Sequence, residues 1–452
     1  MTLGAGELPR PTAVDGDSAR DRLVDRIRTR TARIGIVGLG YVGLPTAVAY
    51  TEAGFTVVGI DTDAERCAAV DRGESYIEDI QSRDLRRARE KDLLTAVTSL
   101  NAAGDLDVVD ICVHTPLGDT REPDVSAIEA VGEALVARQR PGQLVVLTST
   151  SYPGTTEEVL RPILERSGLV VGEDIFLAFA PERIDPGNTK FTLRTVPKIV
   201  GGVDSASTEI ACLMLSAIVD TVVPVRDATT AEMVKVLENS FRMVNIGFAN
   251  EVAMICHRLG IDVWEVIDSA ATKPYGFMPF YPGPGIGGHC IPIDPSYLQW
   301  KMRNLEYRTR FIELGDDVNR SMPDYVVDRA TDILNNVCRS VRGSRILLIG
   351  VAYKPNVSDI RESPALHVAS KLIDRGADVT YVDPHVHSVT LHEATALPRV
   401  ELTEAELAAS DLVVITTQHD GIDWDLVLEH APIVLDTRGV RRGTGRPGWH
   451  TL

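Results

Sequence analysis

The sequence predicts an α/β protein with two Rossmann-like parallel-sheet domains joined by a long central helix and a helical linker domain. Three observations predict it. Strand–helix–strand units ending in an acid occur in both halves of the 452-residue chain. The first of them carries a complete glycine fingerprint, Gly38-x-Gly40-x-x-Gly43. Between the halves, apolar residues recur at three- and four-residue spacing over a long stretch.

Composition agrees with that class. The chain is 44% hydrophobic and only 5% aromatic, which suits an α/β protein built on Val, Ile, Leu and Ala. A net charge of -18 argues against nucleic-acid or anionic-membrane binding, which needs a basic footprint. An anionic small ligand stays open, because a few local cations and helix N-termini suffice for a phosphate. The six cysteines are scattered with no CxxC pair, giving neither a disulfide framework nor zinc-site spacing. A reducing, cytoplasmic location is expected. No apolar run reaches membrane-spanning length.

Residues 1–30 lack a signal-peptide core and are expected to be a flexible N-terminal tail ending in a short helix. Residues 31–228 are the expected dinucleotide-binding domain. Arg33–Val37 reads as a buried strand entering the glycine turn, followed by a helix through Ala53 with Gly54 as its cap. Phe55–Ile60, Val108–Val113, Leu144–Thr148 and Ile175–Ala178 are the next strands. Residues 229–338 are the expected central domain. Its helix runs from Thr229 to about Leu259, with Lys235 and Asn239 four apart on one face. A second helix covers Asp316–Val337, interrupted near Pro323. Residues 339–452 repeat the strand–helix–strand order, with strands at Arg345–Gly350, Val379–Asp383, Leu412–Thr416 and Ile433–Asp436. There Gly350-Val351-Ala352-Tyr353-Lys354-Pro355 replaces the glycine fingerprint, which implies a different ligand.

The glycine turn alone is a weak signal. Its placement after a strand, before a helix, and ahead of Asp61 at the end of the next strand makes it a dinucleotide site. The pyrophosphate belongs on the helix N-terminus, and Asp61 on the adenosine ribose. Asp61 and Asp63 repel a 2′-phosphate, so NAD is expected over NADP. Tyr41, Val42, Arg66, Thr115 and Thr150 join the expected cofactor set.

Thr115-Pro116 and the Ser149–Thr156 run, with Thr150, follow strands at the carboxyl edge of the sheet, where ligands bind. Taken singly, each is more often a helix cap than a catalytic feature. Pro181-Glu182-Arg183 is a similar loop, with a surface ion pair as the plain alternative. Gly285–Asp294 holds Gly287, Gly288, His289 and Cys290, with a carboxylate four residues after the thiol. Glycines there let backbone approach a substrate, and the thiol can attack a carbonyl. The plain alternative is a structural cysteine beside a turn.

These motifs together resemble the nucleotide-sugar dehydrogenases, the family of UDP-glucose and UDP-N-acetylhexosamine 6-dehydrogenases. The resemblance covers about residues 31–440 and rests on residues 38–45, 148–156, 181–188, 235–239, 287–294 and 352–364. It implies a UDP-sugar substrate, NAD as cofactor, and oxidation of the sugar C6 alcohol to a carboxylate by two hydride transfers. It assigns Cys290 the capture of the C6 aldehyde as a thiohemiacetal that becomes a thioester. Lys235 and Asn239 stabilise oxyanions, Asp294 and Thr115 hold a water or share proton transfer, and Glu182 assists hydrolysis. Lys354 and Arg361 reach the nucleotide, Arg361 touching cofactor as well. Arg183, Tyr275, Phe277, Gly287, Gly288 and His289 shape the sugar site. A homodimer or larger homo-oligomer is expected.

His289 and Ile293 stand where UDP-glucose members carry serine and lysine. With Arg183–Asn188 and Ala271–Pro279 they resemble the UDP-N-acetylglucosamine type. The expected substrate is therefore UDP-N-acetylglucosamine or an epimer, with UDP-glucose as the alternative. A decarboxylating β-hydroxyacid dehydrogenase has no use for Cys290 or a second sheet. An inactive NAD-sensing relative tends to lose the nucleophile or oxyanion groups, and this chain keeps them.

Overall fold

The computed structural model describes residues 18–77, 79–102, 105–118, 120–185, 190–391, 395–443 and 445–452. It divides into two compact units. One comprises residues up to His114, Ser126–Ser149 and Gly154–Ala231; the other takes Thr115–Val125, Thr150–Pro153 and Glu232–Leu452.

The first unit is built on an eight-stranded sheet. In chain order its strands are β1 (Arg33–Val37), β2 (Thr56–Ile60), β3 (Leu94–Val97), β4 (Val108–Ile111), β5 (Leu144–Leu147), β6 (Phe176–Phe179), β7 (Lys198–Gly202) and β8 (Val222–Pro224). They lie in the order β3-β2-β1-β4-β5-β6-β7-β8, all parallel except the β6–β7 pair. Ile34, Val57, Val108 and Leu144 are buried, as unbroken apolar runs require when both sheet faces are covered. The helices are α1 (Ala19–Arg28), α2 (Gly43–Glu52), α3 (Ala64–Arg72), α4 (Ser82–Glu90), α5 (Ser126–Val136), α6 (Arg161–Leu164) and α7 (Ser205–Leu215).

Residues 1–17 of the expected tail lie outside the described residues. The rest of it is α1, capped by Ser18, whose Leu23 and Ile27 are buried in this unit's core. That part is structural rather than a tail.

The second unit begins within α8 (Ala228–Leu259), followed by α9 (Val263–Ala271), α10 (Asp294–Asn304) and α11 (Arg310–Asn336). Its sheet has β9 (Arg345–Ile349), β10 (Asp378–Val382), β13 (Leu412–Ile415), β14 (Val434–Asp436) and β15 (Trp449–Thr451), ordered β10-β9-β13-β14-β15 and fully parallel. A small antiparallel pair, β11 (Val389–Thr390) and β12 (Ala396–Leu397), stands apart from it. Helices α12 (Pro364–Asp374), α13 (Glu404–Ala409) and α14 (Trp424–His430) complete the unit.

One expectation for the helices changes. Pro323 does not interrupt α11, which is one element of 27 residues. Burial of Met322, Pro323, Val326 and Val327 holds the helix together across the hydrogen bond that proline removes. The apolar residues of α8 divide between core and surface. Val236, Met243, Ala249 and Ala253 are buried, whereas Leu237, Phe241, Phe248, Ile255 and Leu259 are exposed.

Candidate active site

The glycine turn after β1 gives each glycine a separate task. Gly38 has φ +94°, and a Cβ there would lie 2.5 Å from the Cys112 carbonyl oxygen. A Cβ on Gly43 would collide with the Gly38 carbonyl oxygen, so this residue lets α2 pack onto the strand. A Cβ on Gly40 would meet nothing within 4 Å. The space in front of it is open, which leaves room for a pyrophosphate. Beside it, Asp61 is 8% exposed. Its carboxylate accepts the Leu39 N–H at 2.8 Å and the Asp63 N–H at 2.9 Å. Arg66 stands 3.4 Å from it and faces the Tyr76 ring. These residues fit NAD. Asp63 has a further local task, capping α3 by accepting the Glu65 and Arg66 N–H groups. Tyr41 is exposed and Val42 leads into α2.

Glu182, in the loop after β6, is held on three sides. It accepts the Arg183 and Ile184 N–H groups at 2.6 and 2.8 Å and the Lys198 ammonium at 2.9 Å. Burial pushes its pKa up, but Lys198 and the backbone donors outweigh this and hold the carboxyl below its usual range. Glu182 is thus a firmly held anion. Arg183 donates to the Pro197 carbonyl at 2.6 Å. The motif's Pro186, Gly187 and Asn188 lie outside the described residues.

In the second unit, Asp294 opens α10 and is buried. A helix N-terminus favours its negative charge. Asn239 of α8 donates its amide to this carboxylate. Burial raises the pKa of Asp294 to about 6, against the lowering effects of Lys235 and of the Asn239 hydrogen bond. The sequence expectation that Lys235 and Asn239 share a face thus meets a common target. Thr115 is tied to its neighbours. Its hydroxyl donates to the Thr150 carbonyl at 2.7 Å, and its own carbonyl accepts the Tyr297 hydroxyl.

Cys290 is exposed, just ahead of α10. His289 beside it is half-buried. The glycines before it are required by the chain itself: a Cβ on Gly287 would lie 2.7 Å from the Tyr353 Cβ, and one on Gly288 2.7 Å from the Tyr353 ring. Close approach here is made by protein, where the sequence suggested substrate. Lys354 follows Tyr353, its ammonium 6.0 Å from that ring. Arg361 closes a two-pronged pair on Asp359, with Nε 3.0 Å and Nη2 2.6 Å from its oxygens. Tyr275 is 73% and Phe277 39% exposed, so these residues of the Pro274–Met278 loop do not form a buried wall for a sugar within this chain.

Sequence reasoning missed Lys198, Tyr297 and Arg438. Lys198 opens a buried strand, and Tyr297 follows Asp294 by about one helical turn; both positions were readable signals. Arg438 ends the β14 edge, donates from Nε to the Thr416 carbonyl at 2.7 Å, and is so desolvated that its pKa falls to about 10. Only packing reveals that cation.

Three family models span most of the chain. The NAD binding domain of the UDP-glucose/GDP-mannose dehydrogenase family matches residues 32–219, its central domain 229–321 and its UDP binding domain 347–442. The chain belongs to this family. It is an NAD-dependent nucleotide-sugar dehydrogenase. It is 33% identical over 429 residues to a UDP-N-acetyl-D-mannosamine dehydrogenase of Methanococcus maripaludis, covering 90% of this chain and 93% of that one. An NDP-N-acetyl-D-galactosaminuronic acid dehydrogenase of Ralstonia nicotianae is 36% identical over 434 residues, covering 93% and 98%. Among solved structures, the UDP-D-ManNAc dehydrogenase of Pyrococcus horikoshii superposes with a TM-score of 0.84 at 31% identity, covering 93% and 98%. A UDP-glucose dehydrogenase of Pyrobaculum islandicum gives 0.80 at 27% identity, covering 93% and 97%. No helix among the described residues is long and apolar enough to cross a membrane.

Proposed function

We propose that this enzyme oxidises the C6 alcohol of a UDP-N-acetylhexosamine to the uronate, with the N-acetylmannosamine configuration as the first candidate. The observation that carries the reading is Asp294, buried with Asn239 on its carboxylate and raised to about 6, at the start of the helix that Cys290 precedes. Such a carboxylate is largely ionised near neutral pH yet basic enough to take a proton from an alcohol. The mannosamine and galactosaminuronic names of relatives support an N-acetyl sugar, together with His289 and Ile293 beside the thiol.

When bound, NAD supplies the hydride acceptor for each of the two oxidations. Gly38, Gly40, Tyr41, Val42, Gly43, Asp61, Asp63, Arg66 and Thr150 are assigned to hold it, within residues 31–228. Residues 229–338 carry the chemistry. Asp294 takes the C6 hydroxyl proton. The Cys290 thiolate adds to the resulting aldehyde carbon, and Lys235 and Asn239 stabilise the oxyanion of the adduct. Oxidation of that adduct leaves a thioester; water then adds, and the thiolate departs as the uronate forms. Glu182, a fixed anion, orients polar groups rather than moving a proton. Residues 339–452 hold the uridine diphosphate, with Lys354, Arg361 and the desolvated Arg438 as its cations.

The exposed apolar face of α8 suits a second copy of this chain. Leu237, Phe241, Phe248, Ile255 and Leu259 line it, and the Phe280 ring sits 5.8 Å from that of Phe241. A Phe248→Glu variant should lower the mass seen by light scattering; an unchanged mass would remove this face as the contact. Six free cysteines suit a cytoplasmic setting.

Initial NADH rates across UDP-sugars test the substrate. UDP-N-acetylmannosamine or another N-acetyl epimer should exceed UDP-glucose at least ~10-fold in kcat/KM, about 1.4 kcal/mol of transition-state binding. Equal efficiency would defeat the assignment and leave the dehydrogenase class standing. Because Asp294 must be unprotonated, kcat should fall as pH drops through about 6. Lys235→Met should move that limb upward, since it removes a charge that lowers the pKa of Asp294.

A further inference from the structure

Cys290 is held from both sides. After it, the Ile293 and Asp294 N–H groups donate to its carbonyl at 3.2 and 2.8 Å, tying it to the start of α10. Before it, the Gly288 N–H donates to the Arg361 carbonyl at 3.0 Å. Gly288 has φ +86° and lies so flat on the Tyr353 ring that a Cβ would approach Cε2 to 2.7 Å. Gly287 leaves no more room, with the Glu362 carbonyl oxygen and the Tyr353 Cβ each 2.7 Å from its missing Cβ. The loop bearing the thiol is therefore moulded on the segment from Tyr353 to Glu362.

That segment is itself pinned by buried groups. The Val351 and Ala352 N–H groups donate to Asp383 at 2.7 and 3.1 Å, and the Thr417 hydroxyl donates to the Ala352 carbonyl at 2.6 Å. The Asn356 N–H donates to Nδ1 of His419 at 3.0 Å, so that nitrogen carries no proton and Nε2–H donates to Asp383 at 3.0 Å. His419 is fully buried. The turn after β9 has little freedom, and Tyr353 presents a fixed ring to the cysteine loop.

We propose that Tyr353 is a positioning residue for Cys290, so that one turn of the second sheet sets where the nucleophile stands. The turn that carries Lys354 then fixes thiol and nucleotide through the same backbone. This rests on the reading of Cys290 as the nucleophile.

Alkylation tests it without turnover. Iodoacetamide labelling is followed by peptide mass spectrometry at Cys290, with Cys338, also exposed, as internal reference. In Tyr353→Ala the Cys290 rate should change at least ~3-fold while Cys338 stays constant, and kcat should fall ~10-fold or more, by more than KM changes, as misplacement of a reacting atom requires. Tyr353→Phe, which keeps the ring, should behave as the unaltered enzyme. An unchanged Cys290 rate would overturn the proposal, as would a raised KM with unchanged kcat, the mark of a substrate contact. If Tyr353→Ala does not fold, Tyr353→Leu is read by the same criteria. Failure of the nucleophile reading appears separately, as turnover retained by Cys290→Ala.

Discussion

The two glycine turns of this molecule begin alike and end with opposite uses for their acids. After β1 the Gly38 N–H donates to the Ile60 carbonyl at 2.7 Å; after β9 the Gly350 N–H donates to the Val382 carbonyl at 2.8 Å. An aspartate follows each partner strand, Asp61 and Asp383, and each accepts backbone N–H groups of its turn. From there they part. Asp383 accepts four backbone N–H groups and His419. Burial alone would raise its pKa, but His419 and the backbone donors hold it down at about 2. Asp61 keeps a slightly exposed carboxylate beside Arg66 and a glycine that faces open space. The same scaffold thus encloses one acid completely and leaves the other at an open turn. In the second turn Ala352 and Pro355 stand at the positions that Gly40 and Gly43 hold in the first.

The glycines give the largest expected contrast. Gly350 has φ +84°, and a Cβ there would strike the Thr417 carbonyl, so Gly350→Val should yield little folded protein. Gly40→Val should fold with an unchanged melting temperature but lose NAD affinity at least ~100-fold, because the side chain fills the pyrophosphate approach. Calorimetry and NAD titration together check both; a folded, stable Gly350→Val protein would break the comparison.

The acids come next. Asp383→Asn should cost about 3 kcal/mol of stability, since it leaves buried donors without their charged acceptor. The sign follows from a depressed pKa. The stabilisation is complete above the ordinary unfolded value of ~3.9 and is lost as pH falls through about 2. Denaturant melts should therefore show a constant gap between the two proteins above about pH 4 that closes in stronger acid. Asp61→Asn should change stability less and raise the KM for NAD about 10-fold, the value of a charged hydrogen bond to a ribose hydroxyl. A large loss of stability in Asp61→Asn would show that both acids are structural.

The smallest effect concerns the 2′-position. The unaltered enzyme should use NAD far better than NADP, and Asp61→Ser should narrow that preference by a few-fold, Arg66 remaining to meet a phosphate. Comparable efficiency with both cofactors before any substitution would place Asp61 away from the ribose.

Local patterns carried most of the fold. Apolar runs, Gly54 as a left-handed cap, and the period of α8 are all local, and each appears where expected. Strands with little local signal were not legible: β3 alternates buried and exposed residues, and β8 is short and ends in proline. The candidate site divides in the same way. Asp294, Lys235 and Asn239 could be read because a helix face and a motif carry them. The grip of Lys198 on Glu182, the burial of Arg438 and the fit of Gly288 to Tyr353 arise between segments far apart in sequence, where no periodicity reaches. The exposure of Tyr275 and Phe277 is likewise set by packing and could not be read from the sequence.

The most direct test of the central claim, oxidation of one alcohol to a carboxylate on Cys290, is the product balance at completion. UDP-N-acetylmannosamine, limiting against excess NAD, should give two NADH per uronate, with no aldehyde trapped by a hydrazine reagent, and Cys290→Ala should stop the reaction. One NADH per sugar with free aldehyde in solution would contradict the account.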